Sequence, residues 1–502
     1  MNSVWWIKRD FRVSDNECLS RAMLNGGEVT PFFCWEPKIV DSGDYSVFHF
    51  QAQWQALEGL TEELNQRGSN IWVACGEVTN ELDNLLKKYS FTHLYSHEET
   101  GNLISFQRDR EVARWCKMRG IIWTEISQNS VLRGGNAQMR RKNSTSLDLR
   151  KTKPIPSPKQ IRSPLSRSVP IRKWSWNELG TRLPKFSGCS MLPALQKVNE
   201  KKAWATLGSF FGSRAYYYSG GISSPNKAFQ NGSRLSVHLA WGTISLRSVF
   251  SQLELKRNEL DEEKGRTSWK RSLRAFESRL YWRDHFIQRL ESVSDMEVRV
   301  LNRAYENLEY EDNPDHLESW LAGKTGYPMV DACMRCLNET GFMNFRMRAM
   351  LVSFACFGLH LSWRTIHQPL ARLFTDYEPG IHLSQIQMQA GVIGINALRV
   401  YSPSKQFLDH DPAAQFVKRW VPELADRTPA EIAHAEECNI PEYIRPIVNQ
   451  SVRSKKMKDQ IYLIRKSDEG RFQSSKTLQS HGSQKKISRK RKPKNNGQLE
   501  LF

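Results

Sequence analysis

No stretch of this chain runs apolar for the ~20 residues that a bilayer crossing demands. Every hydrophobic segment is broken sooner by charged or strongly polar residues. Nine cysteines are scattered through 502 residues without regular spacing, which argues against a secreted disulfide framework and for a reduced, soluble, cytoplasmic protein. The opening MNSVWWIKRDFRVSDN sets Lys8, Arg9, Asp10 and Arg12 where a secretory leader needs an apolar core. GxGxxG, HExxH and GxSxG are all absent. AGKT at Ala322–Thr325 ends like a phosphate loop, but Glu318 stands where the first glycine of such a loop belongs. Cys333 and Cys336 form a CxxC inside a helical pattern, with no strand before it and no second close pair, so buried thiols are expected rather than a metal site.

Acidic residues are scarce in two places. Residues 133–173 carry twelve Lys/Arg against Asp148 alone, and residues 451–502 carry fifteen against four, +11 each. With a total of +20, the rest of the chain is left at −2. Both segments are rich in Ser, Lys and Arg and poor in large apolar side chains, so the expectation is a flexible linker (131–198) and a disordered tail (451–502). Such arms would neutralise phosphates with little regard to base sequence and make DNA binding fall steeply with salt. The alternative reading is a solubilising segment.

Between these segments the pattern changes period. Over residues 1–130, strand-like runs VWWIK (Val4–Lys8), VTPFFCW (Val29–Trp35), NIWVAC (Asn70–Cys75) and THLYS (Thr92–Ser96) alternate with amphipathic stretches such as Gln51–Gln66 and Gln107–Arg119. That alternation predicts an α/β domain with a parallel, Rossmann-like sheet. Residues 199–450 carry long helical patterns, Ser268–Leu290 and Pro328–Leu337 among them, and predict an all-α domain.

The helical part holds polar residues that packing does not require. Ser233 and Ser236 flank a turn that opens a helix, where hydroxyls and amides can donate to a pyrophosphate; an ordinary N-cap is the plainer reading. Asp376 and Glu378 stand two apart before Pro379 and Gly380, able to meet ribose or ring donors or to make a surface ion pair. His382 by itself would be a hydrogen-bonded core histidine. Taken with WIKRDFRVSDN, SHEETGN (Ser96–Asn102), SRLSVHLAWGTIS (Ser233–Ser245), FESRLYWRDHF (Phe276–Phe286), TGYPMVDA from Thr325 and INALRVYSPSKQ (Ile395–Gln406), these residues resemble the DNA photolyase and cryptochrome family.

The resemblance implies bound FAD in the helical domain and a second, antenna chromophore of unknown identity. It implies cofactor contacts from Tyr218, Gly232, Ser233, Arg234, Leu235, Ser236, Arg348, Asp376, Tyr377, Glu378 and His382, with Arg348 pairing Asp376. His382 takes the place that faces flavin N5, where an imidazole could donate to N5 or shuttle a proton. It implies a lesion cavity walled by Trp282 and Arg283, with Arg279, Asn344, Phe345, Arg346 and Gln406 on the DNA side. Two departures bear on the substrate. Arg279 stands where cyclobutane-dimer enzymes have Glu, and Phe345 where they have Asn, leaving Asn344 or Glu277 for the flipped base. Phe345 also replaces the His of (6-4) enzymes. The tryptophan relay keeps its middle member, Trp363, but has Ile386 at the flavin-proximal place and Tyr310 at the distal one. The implied function is light-driven splitting of cyclobutane pyrimidine dimers, with a blue-light receptor as the alternative. The ending Gln498-Leu499-Glu500-Leu501-Phe502 resembles a bacterial sliding-clamp motif, which implies a nucleoid-associated bacterial monomer.

Overall fold

The computed structural model describes residues 2–24, 26–136, 139, 152–165, 175–262, 267–438 and 440–482. Five strands, β1 (Ser3–Trp6), β2 (Val29–Trp35), β3 (Trp72–Cys75), β4 (His93–His97) and β5 (Ile122–Ile126), form one parallel sheet in the order β3-β2-β1-β4-β5. Aromatic and β-branched residues fill these strands because both faces are covered by helices, and every residue of β2 is buried. The crossover helices start where the sequence supplies caps: the Ser46 hydroxyl accepts from Phe48 N, and the Asn102 side chain from Ser105 N. The strand order reverses between β1 and β4, which makes a crevice beyond their carboxyl ends.

The remainder is helical and packs against that crevice. Arg12 donates to Gly242 O at 2.9 Å and Arg9 to Tyr377 O at 3.1 Å, while within the helical part Trp241 Nε1 donates to Thr375 O at 2.9 Å. Gly242 is required here: its φ is +65°, and a Cβ would stand 1.9 Å from Arg9 O. Gly380 brings the Pro379–Gln389 helix onto the Thr267–Ser292 helix, since a Cβ there would lie 2.6 Å from Ile287 Cα. These two contacts fix where the acidic segment 376–378 sits.

Two expectations from composition are corrected. In the predicted flexible linker, Ile161 and Leu165 are buried, Val29 N donates to Arg162 O at 2.9 Å and Ile161 N to Arg67 O at 2.9 Å. A few spaced apolar residues there add a packed strip along the sheet despite the basic average. In the predicted disordered tail, residues 450–481 form helices Gln450–Lys466 and Asp468–His481, with Met457 and Ile461 in the core. QLELF lies outside the described residues. Gly323 ends a helix in the left-handed conformation, Thr325 Oγ1 donates to Asp331 at 2.6 Å, and Cys333 and Cys336 are buried free thiols.

Candidate functional site

The side chains singled out in the helical unit converge where the 232–236 turn, the Thr267–Ser292 helix, the start of the Phe345–Ser353 helix and segment 376–382 meet. Arg348 Nη2 donates to both carboxylate oxygens of Asp376, at 3.0 and 2.8 Å. This is no surface pair, for the Asp376 side chain is 7% exposed. Burial alone would raise the Asp376 pKa, but the Arg348 guanidinium and the Ser236 hydroxyl outweigh it and hold the carboxyl below its usual range. Ser236 is itself exposed although Leu235, Val237 and His238 around it are buried, so the turn presents its serine to open space. Leu235, not a serine, is the N-cap of the Ser236–Ala240 helix, and no side chain caps it. The plainer N-cap reading is thereby not realised.

Across this space Glu378 is buried, with Oε2 3.4 Å from Arg283 Nη2, and burial raises its carboxyl despite that arginine. His382 is buried and bonds through Nε2 to the His367 carbonyl at 2.8 Å. A carbonyl only accepts, so Nε2 carries the proton, and burial pushes the imidazole pKa down to about 3. The neutral ring's Nδ1 is then an acceptor, and the donor role toward N5 is not available from this tautomer. Tyr218 is buried, and burial raises its phenol in spite of a hydrogen bond with Arg279.

Tyr377 departs from its expected role. Its hydroxyl donates to Asp44 in the sheet unit at 2.6 Å and its ring stacks on His49, centroids 5.4 Å apart. Tyr377 thus ties the helical unit to the sheet unit. Neither Asp44 nor His49 was legible as a partner, because a contact across 333 residues leaves no periodic trace.

The substrate side is partly redrawn. Trp282 stacks on Phe286, centroids 5.4 Å apart at 28°. Phe345 is 40% exposed, and the Arg279 guanidinium lies 4.7 Å from its ring centre. Arg346 is half-buried, with its Nε unpartnered. Arg283 does not reach out to phosphate: it is tied to Glu378, to Asn129 Oδ1 at 2.9 Å and to Leu239 O at 3.2 Å. Asn344 is buried and spends its amide donors on Ile222 O and Ser223 O, leaving Oδ1 without a partner. Gln406 is buried too, and Glu277 pairs with Arg257 at 2.7 Å, so neither is presented to a flipped base. Trp363 is fully buried with an unpartnered indole N–H, next to His367, and aliphatic Ile386 is buried as well.

These groups fit a flavin dinucleotide: an exposed turn at Ser236, whose hydroxyl bonds Asp376, an acid–arginine pair for ribose or ring donors, and a close-packed glycine where two helices meet. Fold and site together define a flavoprotein with a parallel-sheet unit docked on a helical, FAD-binding unit. Residues 3–146 match the DNA photolyase domain model and residues 276–462 the FAD-binding domain of DNA photolyase. The chain is 26% identical over 486 residues to a deoxyribodipyrimidine photo-lyase of Synechococcus, covering 91% of this chain and 95% of that protein. It is 26% identical over 456 residues to a cryptochrome DASH of Gloeobacter violaceus, covering 85% and 87%. An archaeal photolyase from Sulfolobus tokodaii crystallised with two FAD molecules superimposes with a TM-score of 0.75 at 25% identity, over 92% of this chain and 100% of that one. The chain belongs to the DNA photolyase and cryptochrome family. Among the described residues no helix is long and apolar enough to cross a membrane, and no cluster could hold a metal ion.

Proposed function

We propose that this protein is a deoxyribodipyrimidine photolyase acting on cyclobutane pyrimidine dimers. Bound FAD supplies the light-driven electron that opens the cyclobutane ring. The protein's part is placement: Arg348 and Asp376 hold the cofactor, and neutral His382 offers an acceptor beside it. Trp282 and Phe286 give the cavity an aromatic wall for a base lifted from the duplex. The observation that supports the reading is the Trp282 ring stacked on Phe286, centroids 5.4 Å apart, an aromatic face of the kind on which a base stacks. Repair of a thymine-dimer oligonucleotide by the reduced, FAD-loaded protein under blue light, against a dark control, tests it. No restored thymine, with reduced flavin verified spectroscopically, rejects the reading.

A light-receptor role is the second reading. It is favoured by Arg279, which can donate but not accept a hydrogen bond from a base, and by Ile386, which removes the proximal ring of the electron relay. The proposed place for a second chromophore is the crevice beyond β1 and β4. The cavity there is about 70 Å³ beside the Glu36–Arg108–Glu99 ion pairs, so those side chains would have to part. Docking of QLELF on a bacterial sliding clamp, and with it nucleoid association, belongs to the repair reading.

A further inference from the structure

We propose that Tyr377 is an electron donor to photoexcited FAD, and that its phenol proton passes to Asp44 as the electron leaves. This donor role requires FAD beside His382, and it holds whether the flavin repairs DNA or signals light. An aromatic ring within reach of oxidised flavin under blue light gives up one electron, and the charge left behind decides which ring does so. A ring that keeps its proton becomes a buried cation; one that hands the proton to a carboxylate does not.

Tyr377 is buried and stands edge-on to His382, ring centres 5.3 Å apart at 79°. Phe374 also meets the imidazole, at 6.2 Å, but has no proton to release. The Tyr377 hydroxyl donates to Asp44 at 2.6 Å. Burial, then the Asp44 charge, raises the phenol well above its usual value, so the proton is in place before the electron leaves. Burial would raise the Asp44 carboxyl too, but bonds from Ser42, Tyr377 and Asn102 outweigh it and hold the group below its usual range, so the acceptor is a carboxylate. When the electron leaves, the Tyr377 O–H bond breaks and an Asp44 O–H bond forms. The phenoxyl radical and the carboxylic acid are both neutral, and the buried contact carries no net charge. Return of one electron, from the flavin or from a small thiol, brings the proton back from Asp44.

The neighbouring tryptophans lack such a partner. Trp363 is fully buried, its indole N–H has no acceptor, and the Arg364 guanidinium lies 4.7 Å from its ring centre, so an electron lost there leaves one cation beside another. Trp241 gives its N–H to the Thr375 carbonyl, which takes no proton, and lies 5.0 Å from the Arg9 guanidinium. Arg9 also donates to the Tyr377 carbonyl at 3.1 Å, but its pull on the phenol is smaller than that of Asp44. His49, stacked on Tyr377 at 5.4 Å, adds no opposing charge, because burial pushes its pKa down to about 4 and leaves it neutral. Asp44 belongs to the sheet unit and Tyr377 to the helical one, so the donor pair exists only when the two are docked.

The test illuminates the oxidised, FAD-loaded protein with blue light and no added reductant, then freezes it for electron paramagnetic resonance, with yields scaled to the flavin bound. A tyrosyl radical is expected, identified by the narrowing of its pattern in protein made with ring-deuterated tyrosine. Tyr377→Phe should cut its yield about tenfold. Asp44→Asn, which still accepts a hydrogen bond from the phenol but takes no proton, should do the same; a merely structural tie between the units would leave the radical at its wild-type yield in this variant. A radical that responds to deuterated tryptophan instead, a tyrosyl radical indifferent to either substitution, or flavin-loaded protein that forms no protein radical overturns the proposal.

Discussion

His382 donates its Nε2 proton to the His367 carbonyl at 2.8 Å, and this bond fixes what the imidazole can offer the flavin. With its pKa pushed to about 3 by burial, the ring is neutral throughout the physiological range and presents an unprotonated Nδ1. The spectrum and midpoint potential of the bound flavin should therefore show no His382-dependent step between pH 5 and 8. A step in that range that vanishes in His382→Asn would overturn the assignment.

Asp376 and Arg348 form a buried pair whose breaking leaves a guanidinium unmatched beside the cofactor. Asp376→Asn is expected to cost about 3 kcal/mol, in line with a broken buried ion pair, and to lower FAD retention by two orders of magnitude. Flavin content after gel filtration reads this directly; full retention would remove the pair from the cofactor's binding.

Phe345 is 40% exposed with Arg279 against its ring, and under the proposed repair function that ring stacks on DNA. Phe345→Ala should weaken binding of a dimer-containing oligonucleotide roughly tenfold, the loss of about 1–2 kcal/mol of base stacking, with flavin content and melting temperature unchanged. Fluorescence anisotropy gives the affinity, and wild-type binding by the variant would move the lesion contact elsewhere.

Burial depresses seven histidines: His97 and His410 are lowered, His49, His367 and His481 fall to about 4, and His238 and His382 to about 3. Because the folded pKa values lie below the unfolded value of 6.5, the unfolded chain binds more protons as pH falls. The stabilisation is complete above pH ~6.5 and is lost downward, each histidine contributing at most about 1.4 kcal/mol per pH unit. Melting temperature should already fall between pH 6.5 and 5. A plateau to pH 5 followed by a drop would assign the acid loss to carboxylates instead.

Ile461 is 1% exposed and packs in the main helical core although it lies in a segment whose average composition is that of a disordered tail. Ile461→Ala should destabilise the protein by about 2–4 kcal/mol, measured by denaturant unfolding. A change below half a kcal/mol would return this helix to the status of a loose appendage.

The sequence by itself determined the class of fold, because strand and helix periods are local: runs such as VTPFFCW have one buried solution, and the break in period near residue 130 marks where the sheet ends. The family resemblance also pointed to Arg348 with Asp376 and to Ser236, because it is carried by short blocks of sequence. Composition misled at Ile161 and Ile461, since one well-placed aliphatic side chain outweighs a basic average once a complementary surface exists. Which side chains face the site was decided only by tertiary packing. Arg283, Asn344 and Gln406 carry the chemistry of nucleic-acid contacts, yet Arg283 is half-buried and Asn344 and Gln406 are buried, the first two are spent on internal bonds, and Tyr377 turns away to Asp44. Hydrogen-bond partners hundreds of residues apart are chosen when the sheet and helical units dock, and that choice is not written in the spacing of either.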